Sequence, residues 1–134
     1  MFWADELAAG LAGPQVVNDS KTPSGTVHVG SLRGVVLHDA IARALRDHGL
    51  PTEFRYGVDD LDPMDAQALL TPDAVDRYMG VPLAHVPAPD GSDAPSYARY
   101  FVGELFMGTF AGLGITPVIY WMSELYADGT MDRF

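Results

Sequence analysis

An amphipathic stretch of about four helical turns lies between two strand-like segments, and this arrangement restricts the possible folds more than any other feature. Apolar residues recur at helical spacing from Leu32 to Leu45, which predicts a helix with one buried face. Residues 15–18 before it have the character of a short buried strand. Thr52–Val58 after it alternates apolar and polar residues, as a half-buried strand does. Strand, helix and strand together predict a right-handed βαβ unit.

The same patterns predict which side chains enter the core. The apolar side chains of the long helix form two neighbouring rows, made of Leu32, Val36, Ala40 and Ala44 and of Leu37, Ile41 and Leu45. Asp39 and Arg43 lie off these rows, so we expect them at the surface. A first helix over residues 3–12 is expected to turn Phe2, Leu7 and Leu11 toward the core.

Gly and Pro divide the remaining chain into alternating helix-like and strand-like pieces. We expect a short helix over residues 72–79, an extended connection over 81–95, an amphipathic helix from Ser96, and a third strand at Val118–Trp121. Ser123 is placed to cap a last helical turn. The alternation predicts an α/β fold with a Rossmann-like doubly wound parallel sheet. Three strands make half of such a sheet, so residues 1–134 are expected to be a truncated domain.

Composition excludes several classes of protein. The net charge of −10 and the small number of Lys and Arg residues oppose binding to nucleic acid by this segment alone. The chain contains no Cys, which excludes disulfides and zinc sites made with Cys. No apolar stretch approaches the roughly 20 residues of a membrane span. Acidic residues near the amino terminus oppose a signal peptide, so we expect a cytoplasmic protein that does not contact membranes.

Residues 22–31, between the first strand and the long helix, are the best candidate for a binding site. Ligands of open α/β sheets bind at the carboxyl ends of strands, where a helix amino terminus offers free N–H groups to phosphate. Gly25 and Gly30 permit close approach of a nucleotide to the backbone, and His28 and Ser31 supply donors. The alternative from spacing alone is an ordinary turn with a capping His28 and a Gly30 that aids helix packing.

The pattern Pro-Ser-Gly-x-x-His-x-Gly at residues 23–30 resembles the His-Ile-Gly-His signature of class I aminoacyl-tRNA synthetases, with Ser31 in place of the last His. Further segments are similar to the amino-terminal part of class I lysyl-tRNA synthetase. In chain order they are FWAD (2–5), NDSKT (18–22), SLRG (31–34), DDLDPMD (59–65), PAPDG (87–91) and SELY (123–126). The resemblance covers nearly the whole chain, which it identifies as the amino-terminal part of the catalytic domain.

This resemblance implies ATP-dependent activation of lysine to lysyl-adenylate, followed by transfer to tRNA(Lys). It implies that His28 and Ser31 are catalytic hydrogen-bond donors to phosphate and that Gly30 lies under the adenosine. The expected ATP-binding residues are Thr22, Pro23, Ser24, Gly25, His28, Gly30 and Ser31. We expect no metal site in the chain itself, with Mg²⁺ arriving on the nucleotide.

Acidic residues follow the second strand, where a cationic substrate could use them. Asp59 and Asp60 stand at the strand end, and Asp62 and Asp65 follow within six residues. With Ser20 and Thr22, Asp59 and Asp60 form the expected lysine-binding set, because carboxylates make strong hydrogen bonds to ammonium groups. For Asp62 and Asp65 the favoured interpretation is a solvated acidic loop.

Lys21 is the only Lys, so the second signature of the class, Lys-Met-Ser-Lys-Ser, is absent from the chain. We therefore expect the chain to supply half of an active site and to leave most tRNA contacts to other regions. Two alternatives stay open: a nucleotidyltransferase of the same superfold and a non-catalytic ATP-binding paralogue.

Overall fold

The structure of the chain is a computed structural model, which describes residues 2–65 and 70–133. Three parallel strands form one sheet in the order β1–β2–β3: β1 (Gln15–Lys21), β2 (Thr52–Val58) and β3 (Val118–Trp121). In the register, Lys21 pairs with Val58, and Val58 pairs with Trp121. All three strands therefore end at one edge of the sheet. The predicted α/β class and parallel sheet are confirmed.

The helices connect and flank these strands. In chain order they are α1 (Trp3–Ala9), α2 (Val29–Asp47), α3 (Pro72–Tyr78), α4 (Tyr97–Tyr100), α5 (Met107–Gly112) and α6 (Met122–Ala127). A π-helical segment, Phe101–Phe106, joins α4 to α5, and short 3-10 helices span Leu83–His85 and Met131–Arg133. None of the helices among the described residues is long and apolar enough to cross a membrane.

Both crossovers pack on the same face of the sheet. Tyr56 of β2 contacts Phe106 and Phe110 with ring centroids 6.0 and 5.1 Å apart. Asp19, the register partner of Tyr56, lies against Gly34 of α2. Successive right-handed crossovers that proceed in one direction place their helices on one side. The other face carries exposed side chains, including Val16 and Val118.

The long predicted helix after Ser96 is interrupted by one π turn. Phe101 and Phe106 are five residues apart, yet both are buried and their rings lie 5.0 Å apart. The wider turn lets residues at this spacing share a face, which a regular α-helix with 3.6 residues per turn does not allow. Phe110 then continues the same aromatic cluster, with its ring 5.2 Å from that of Phe106.

Three expectations about packing were wrong. Phe2, Leu7 and Leu11, in and beside α1, are about half exposed, whereas Ala4 and Ala8 of α1 are buried. Small side chains let this short helix approach its neighbour α2 closely, so the larger residues turn outward. The helix also ends at Ala9 rather than at residue 12.

The buried face of α2 is only partly the predicted one. Ala44 and Leu45 are buried as predicted, and Leu32 and Ile41 pack against the core. Val36 and Leu37 are 44% and 40% exposed, however, and Val35 and Ala42 are buried instead. Asp39, expected at the surface, is buried, and Arg43 pairs with its carboxylate at 2.6 Å.

The third wrong expectation concerns Ser123, which is not the N-cap residue of α6. Trp121 occupies that position.

Strand β1 is longer than predicted and continues to Lys21 rather than ending at residue 18. Ser20 therefore lies within the strand, and Thr22 is the first residue beyond it. The extended connection over residues 81–95 holds the 3-10 turn Leu83–His85 but is otherwise irregular. Phe134, where we expected the domain to be cut, lies outside the described residues.

Candidate active site

The candidate site lies where the three strands end. The segment 22–28 leaves β1 and leads directly into α2, and residue 59 leaves β2 beside it. The backbone N–H of Asp59 donates to the carbonyl of Lys21 at 3.1 Å, so the two loops diverge from a common point. This edge is where open α/β sheets bind ligands.

The first part of the loop is anchored by proline and a tight turn. Pro23 is buried, and the N–H of Ser24 donates to the carbonyl of Thr22 at 2.8 Å. Apart from its two chain neighbours, no described residue would place an atom within 4 Å of a Cβ at Gly25. The chain itself therefore does not require glycine at this position, and close approach of a ligand stays the predicted reason for it.

His28 is the N-cap residue of α2. Its Nδ1 accepts a hydrogen bond from the N–H of Ser31 at 3.3 Å, and its carbonyl accepts a second one from the same group at 2.8 Å. An imidazole nitrogen that accepts carries no proton, so the neutral ring holds its proton on Nε2. The side chain is exposed, which leaves Nε2–H free to donate to a ligand.

Gly30 makes this arrangement of His28 possible. A Cβ at residue 30 would lie 2.9 Å from Cε1 and 3.0 Å from Nδ1 of the His28 ring. Carbon atoms do not approach at that distance, so any larger residue would displace the ring from its capping position. The His-x-Gly pair therefore acts as one unit. The contact of Gly30 with adenosine stays a prediction.

The amino terminus of α2 favours an anion. No acidic residue occupies the first turn of this 19-residue helix. The partial positive charge of the helix end is therefore not compensated locally, and the free N–H groups there are suited to phosphate oxygens. Ser31, in the first turn, is half-buried and carries its hydroxyl at this end.

Asp59 and Ser20 meet on the open face of the sheet. The Ser20 side chain hydrogen-bonds to the Asp59 carboxyl, and Asp59 is half-buried. Burial raises the pKa of Asp59 above its ordinary value, the bond with Ser20 lowers it, and the charges of Asp62, Asp60 and Asp19 raise it. Ionisation of Asp59 therefore costs free energy in this environment, and a cation bound beside the carboxylate would reduce that cost.

Asp60 faces a different partner. Its Oδ1 accepts from the backbone N–H of Ser123 at 2.9 Å, and its Oδ2 accepts from the Ser123 hydroxyl at 2.5 Å. The residue is 1% exposed. Asp60 thus caps α6 from the end of β2, in the role that the sequence assigned to Ser123. Its predicted contact with lysine stays a prediction, but both of its oxygens are engaged.

We expect Ser123→Ala to destabilise the chain by about 1.5–3 kcal/mol, the usual contribution of a hydrogen bond to a charged group. Urea denaturation of the 134-residue chain measures this change. Ser92→Ala, which removes a hydroxyl from a loop outside the core, is the control and is expected to cost less. Equal effects of the two substitutions would show that the bond to Asp60 is not a stabilising cap.

Asp62 makes a contact beside the candidate site that sequence reasoning missed. We expected a solvated acid, and its side chain is exposed, but it accepts a hydrogen bond from the Thr22 hydroxyl. The bond joins the β1–α2 loop to the acidic loop after β2. The sequence does contain a signal for this contact, because Thr22 and Asp62 each follow the end of a predicted strand within four residues.

The structure therefore brings most predicted site residues to one edge. Ser20 meets Asp59, Thr22 meets Asp62, and His28, Gly30 and Ser31 form a unit at the start of α2. Asp60 turns away toward α6. Among the side chains that the structure describes, which do not include that of Glu104, no three His, Asp or Glu groups are arranged in a way that could hold a metal ion.

The chain matches the family model of class I tRNA synthetases (K) over residues 1–133. It is 35% identical to a lysine–tRNA ligase of Thermoplasma acidophilum over 131 residues, which are 98% of this chain and 25% of the relative. It is 35% identical to the enzyme of that name from Methanosarcina barkeri, covering 96% of this chain and 24% of the relative.

A lysine–tRNA ligase of Archaeoglobus fulgidus is 34% identical over 136 residues, covering 99% of this chain and 27% of the relative. The chain thus spans about a quarter of the length of the curated relatives it matches. The match of the family model over residues 1–133, together with these identities, places the chain in the class I lysyl-tRNA synthetase family.

Proposed function

We propose that the chain is the amino-terminal part of the catalytic domain of a lysine–tRNA ligase and supplies the ATP-binding half of its active site. The observation that carries this proposal is the unit of His28, Gly30 and Ser31 at the start of α2, within a family match over residues 1–133. The substrates are lysine, ATP with its bound Mg²⁺, and tRNA(Lys), and the compartment is the cytoplasm.

In the first step the lysine carboxylate attacks the α-phosphorus of ATP, and pyrophosphate leaves. Negative charge shifts within the phosphate chain during this step, so donors that are fixed in advance stabilise the transition state. His28 donates from Nε2–H, and the N–H groups of the first turn of α2 and the Ser31 hydroxyl lie at the same helix end. His28 acts as a donor and not as a base, because its other nitrogen is engaged with the helix.

In the second step a ribose hydroxyl at the 3′ end of tRNA attacks the carbonyl carbon of the adenylate, and AMP leaves. The chain's net charge of −10 is unsuited to holding an RNA backbone. We therefore assign most of the tRNA surface, and the Lys-Met-Ser-Lys-Ser loop, to the regions beyond this chain. Lys21, its only lysine, lies within β1 and cannot replace that loop.

The test is lysine-dependent exchange of pyrophosphate into ATP by the complete protein. We expect exchange with lysine and none with glutamate, aminoacylation of tRNA(Lys) by the complete protein, and no measurable aminoacylation by the 134-residue chain. Continuation of the gene into a Lys-Met-Ser-Lys-Ser segment would agree with this assignment.

The two alternatives predict different results. A non-catalytic paralogue would bind ATP without lysine-dependent exchange. A nucleotidyltransferase would release pyrophosphate in the presence of a different small molecule, and lysine would not stimulate the exchange. Robust charging of tRNA by the 134-residue chain alone would contradict the division of the active site proposed above.

A further inference from the structure

Tyr120 of β3 reaches across the whole sheet to β1. Its hydroxyl donates to Oδ1 of Asn18 at 3.0 Å, although β1 and β3 are separated by β2. Gly57 of β2 lies beneath the crossing, and a Cβ there would stand 2.6 Å from Oη and 2.7 Å from Cζ of Tyr120. The contact therefore exists only because residue 57 has no side chain.

The crossing side chain lies on the open face of the sheet, near the strand ends. Side chains of a strand alternate between faces, so Asp59 projects to the same side as Gly57. Ser20 is the register partner of Gly57, and its hydroxyl bonds to Asp59. The Tyr120 ring thus lies about two residues, roughly 6.6 Å, from the Asp59 position along the strand direction.

The charges along this face are arranged asymmetrically. On the strand-end side of Gly57 stands the Asp59 carboxyl, which forms no ion pair with an arginine or lysine of the described residues. On the opposite side Arg55 bonds to Glu53 at 2.7 Å, so its charge is compensated locally. An elongated cation with an apolar stem fits this order, since its charge would meet Asp59 and its stem the aromatic ring.

Resting on the proposed function, we propose that Tyr120 is a specificity-determining residue for lysine. The four-carbon stem of the substrate lies on the Tyr120 ring, and Asp59 accepts a hydrogen bond from an ammonium group. Asn18 holds the hydroxyl and thereby keeps the ring flat across Gly57. The sequence alone assigns no role to Tyr120, because the contact of its side chain with Asn18 of β1 is evident only in the folded sheet.

The test uses the complete ligase and its lysine-dependent pyrophosphate exchange. Tyr120→Phe keeps the ring and removes its tether, so the KM for lysine is expected to rise about three- to tenfold, the equivalent of one hydrogen bond, with the KM for ATP unchanged. Tyr120→Ala removes the ring, so a larger rise is expected. Its preference for lysine over ornithine, which is shorter by one methylene, is expected to fall.

Gly57→Ala provides an independent variant. Its Cβ acts by displacing Tyr120, so it is expected to raise the KM for lysine in the wild-type background and to add little to Tyr120→Ala. Tyr100→Phe removes a hydroxyl from α4, away from the strand ends, and serves as the matched control with unchanged constants.

Several results would overturn the inference. One is an unchanged KM for lysine in Tyr120→Phe and Tyr120→Ala. Another is a joint rise of the KM for lysine and for ATP with unaltered preference over ornithine, which would indicate a purely structural role. A complete wild-type protein without lysine-dependent exchange would overturn the proposed function and this inference with it. Wild-type exchange with silent Tyr120 variants would overturn this inference alone.

Discussion

Substitution of His28 by Ala in the complete ligase is expected to lower the rate of lysine-dependent pyrophosphate exchange about 10²–10³-fold, or about 2.7–4 kcal/mol. The reason is the exposed Nε2–H, which the bond from the Ser31 N–H to Nδ1 leaves as the donor. A donor directed at charge that develops on phosphate acts mainly in the transition state. The KM for lysine is therefore expected to change much less than kcat.

A second variant separates this role from that of a helix cap. Asn is among the best N-cap residues, so His28→Asn keeps an acceptor for the Ser31 N–H but removes the ring donor. We expect His28→Asn to be as slow as His28→Ala. His48→Ala, at the opposite end of α2, is the control with an unchanged rate. Full activity of His28→Asn would show that His28 serves only as the helix cap.

The strand and helix segments could be predicted because their signals are local. The alternation in Thr52–Val58 and the apolar spacing between Leu32 and Leu45 depend only on neighbouring residues, and both elements form where expected. Strands joined by such helical crossovers run parallel, so their carboxyl ends meet at one edge of the sheet. The sheet edge that carries the candidate site was therefore predictable before any contact was known.

The orientation of α2 could not be predicted, because it depends on a distant partner. Arg43 donates both to Asp39 and to the carbonyl of Gly114, which is 71 residues away in the chain. With its carboxylate paired in this way, Asp39 can be buried at acceptable cost. Asp39 thus forms part of the buried face, whereas Val36 and Leu37 are exposed, although the apolar rows of the sequence predict both in the core.

The roles of the two adjacent acids were partly predictable. Alternation along β2 implies that Asp59 and Asp60 point to opposite faces, which the assignment of both acids to the lysine-binding set did not take into account. Which of the two meets the open face depends on the register with β1. That register places Gly57 opposite Ser20, and Asp60 is then free to reach Ser123.

Substitution of Asp59 by Asn is expected to weaken lysine binding by about 1.5–3 kcal/mol, or roughly 10- to 150-fold. The amide keeps the shape of the carboxyl and its bond with Ser20 but lacks the charge that attracts an ammonium group. Calorimetric titration of lysine into the complete ligase measures the change. Asp93→Asn, in an exposed loop, is the control and should leave lysine affinity within about 0.5 kcal/mol.

The same substitution is expected to stabilise the fold at neutral pH, and this opposite effect separates a functional acid from a structural one. Because burial raises the pKa of Asp59, ionisation of this group opposes folding above its raised pKa and has no such effect below its ordinary value of 3.8. Asp59→Asn should therefore be more stable than the wild type in urea at pH 7, and that gain should vanish toward pH 3. If Asp59→Asn is less stable at pH 7 and binds lysine as tightly as the wild type, Asp59 is a structural residue and the amino-acid pocket lies elsewhere.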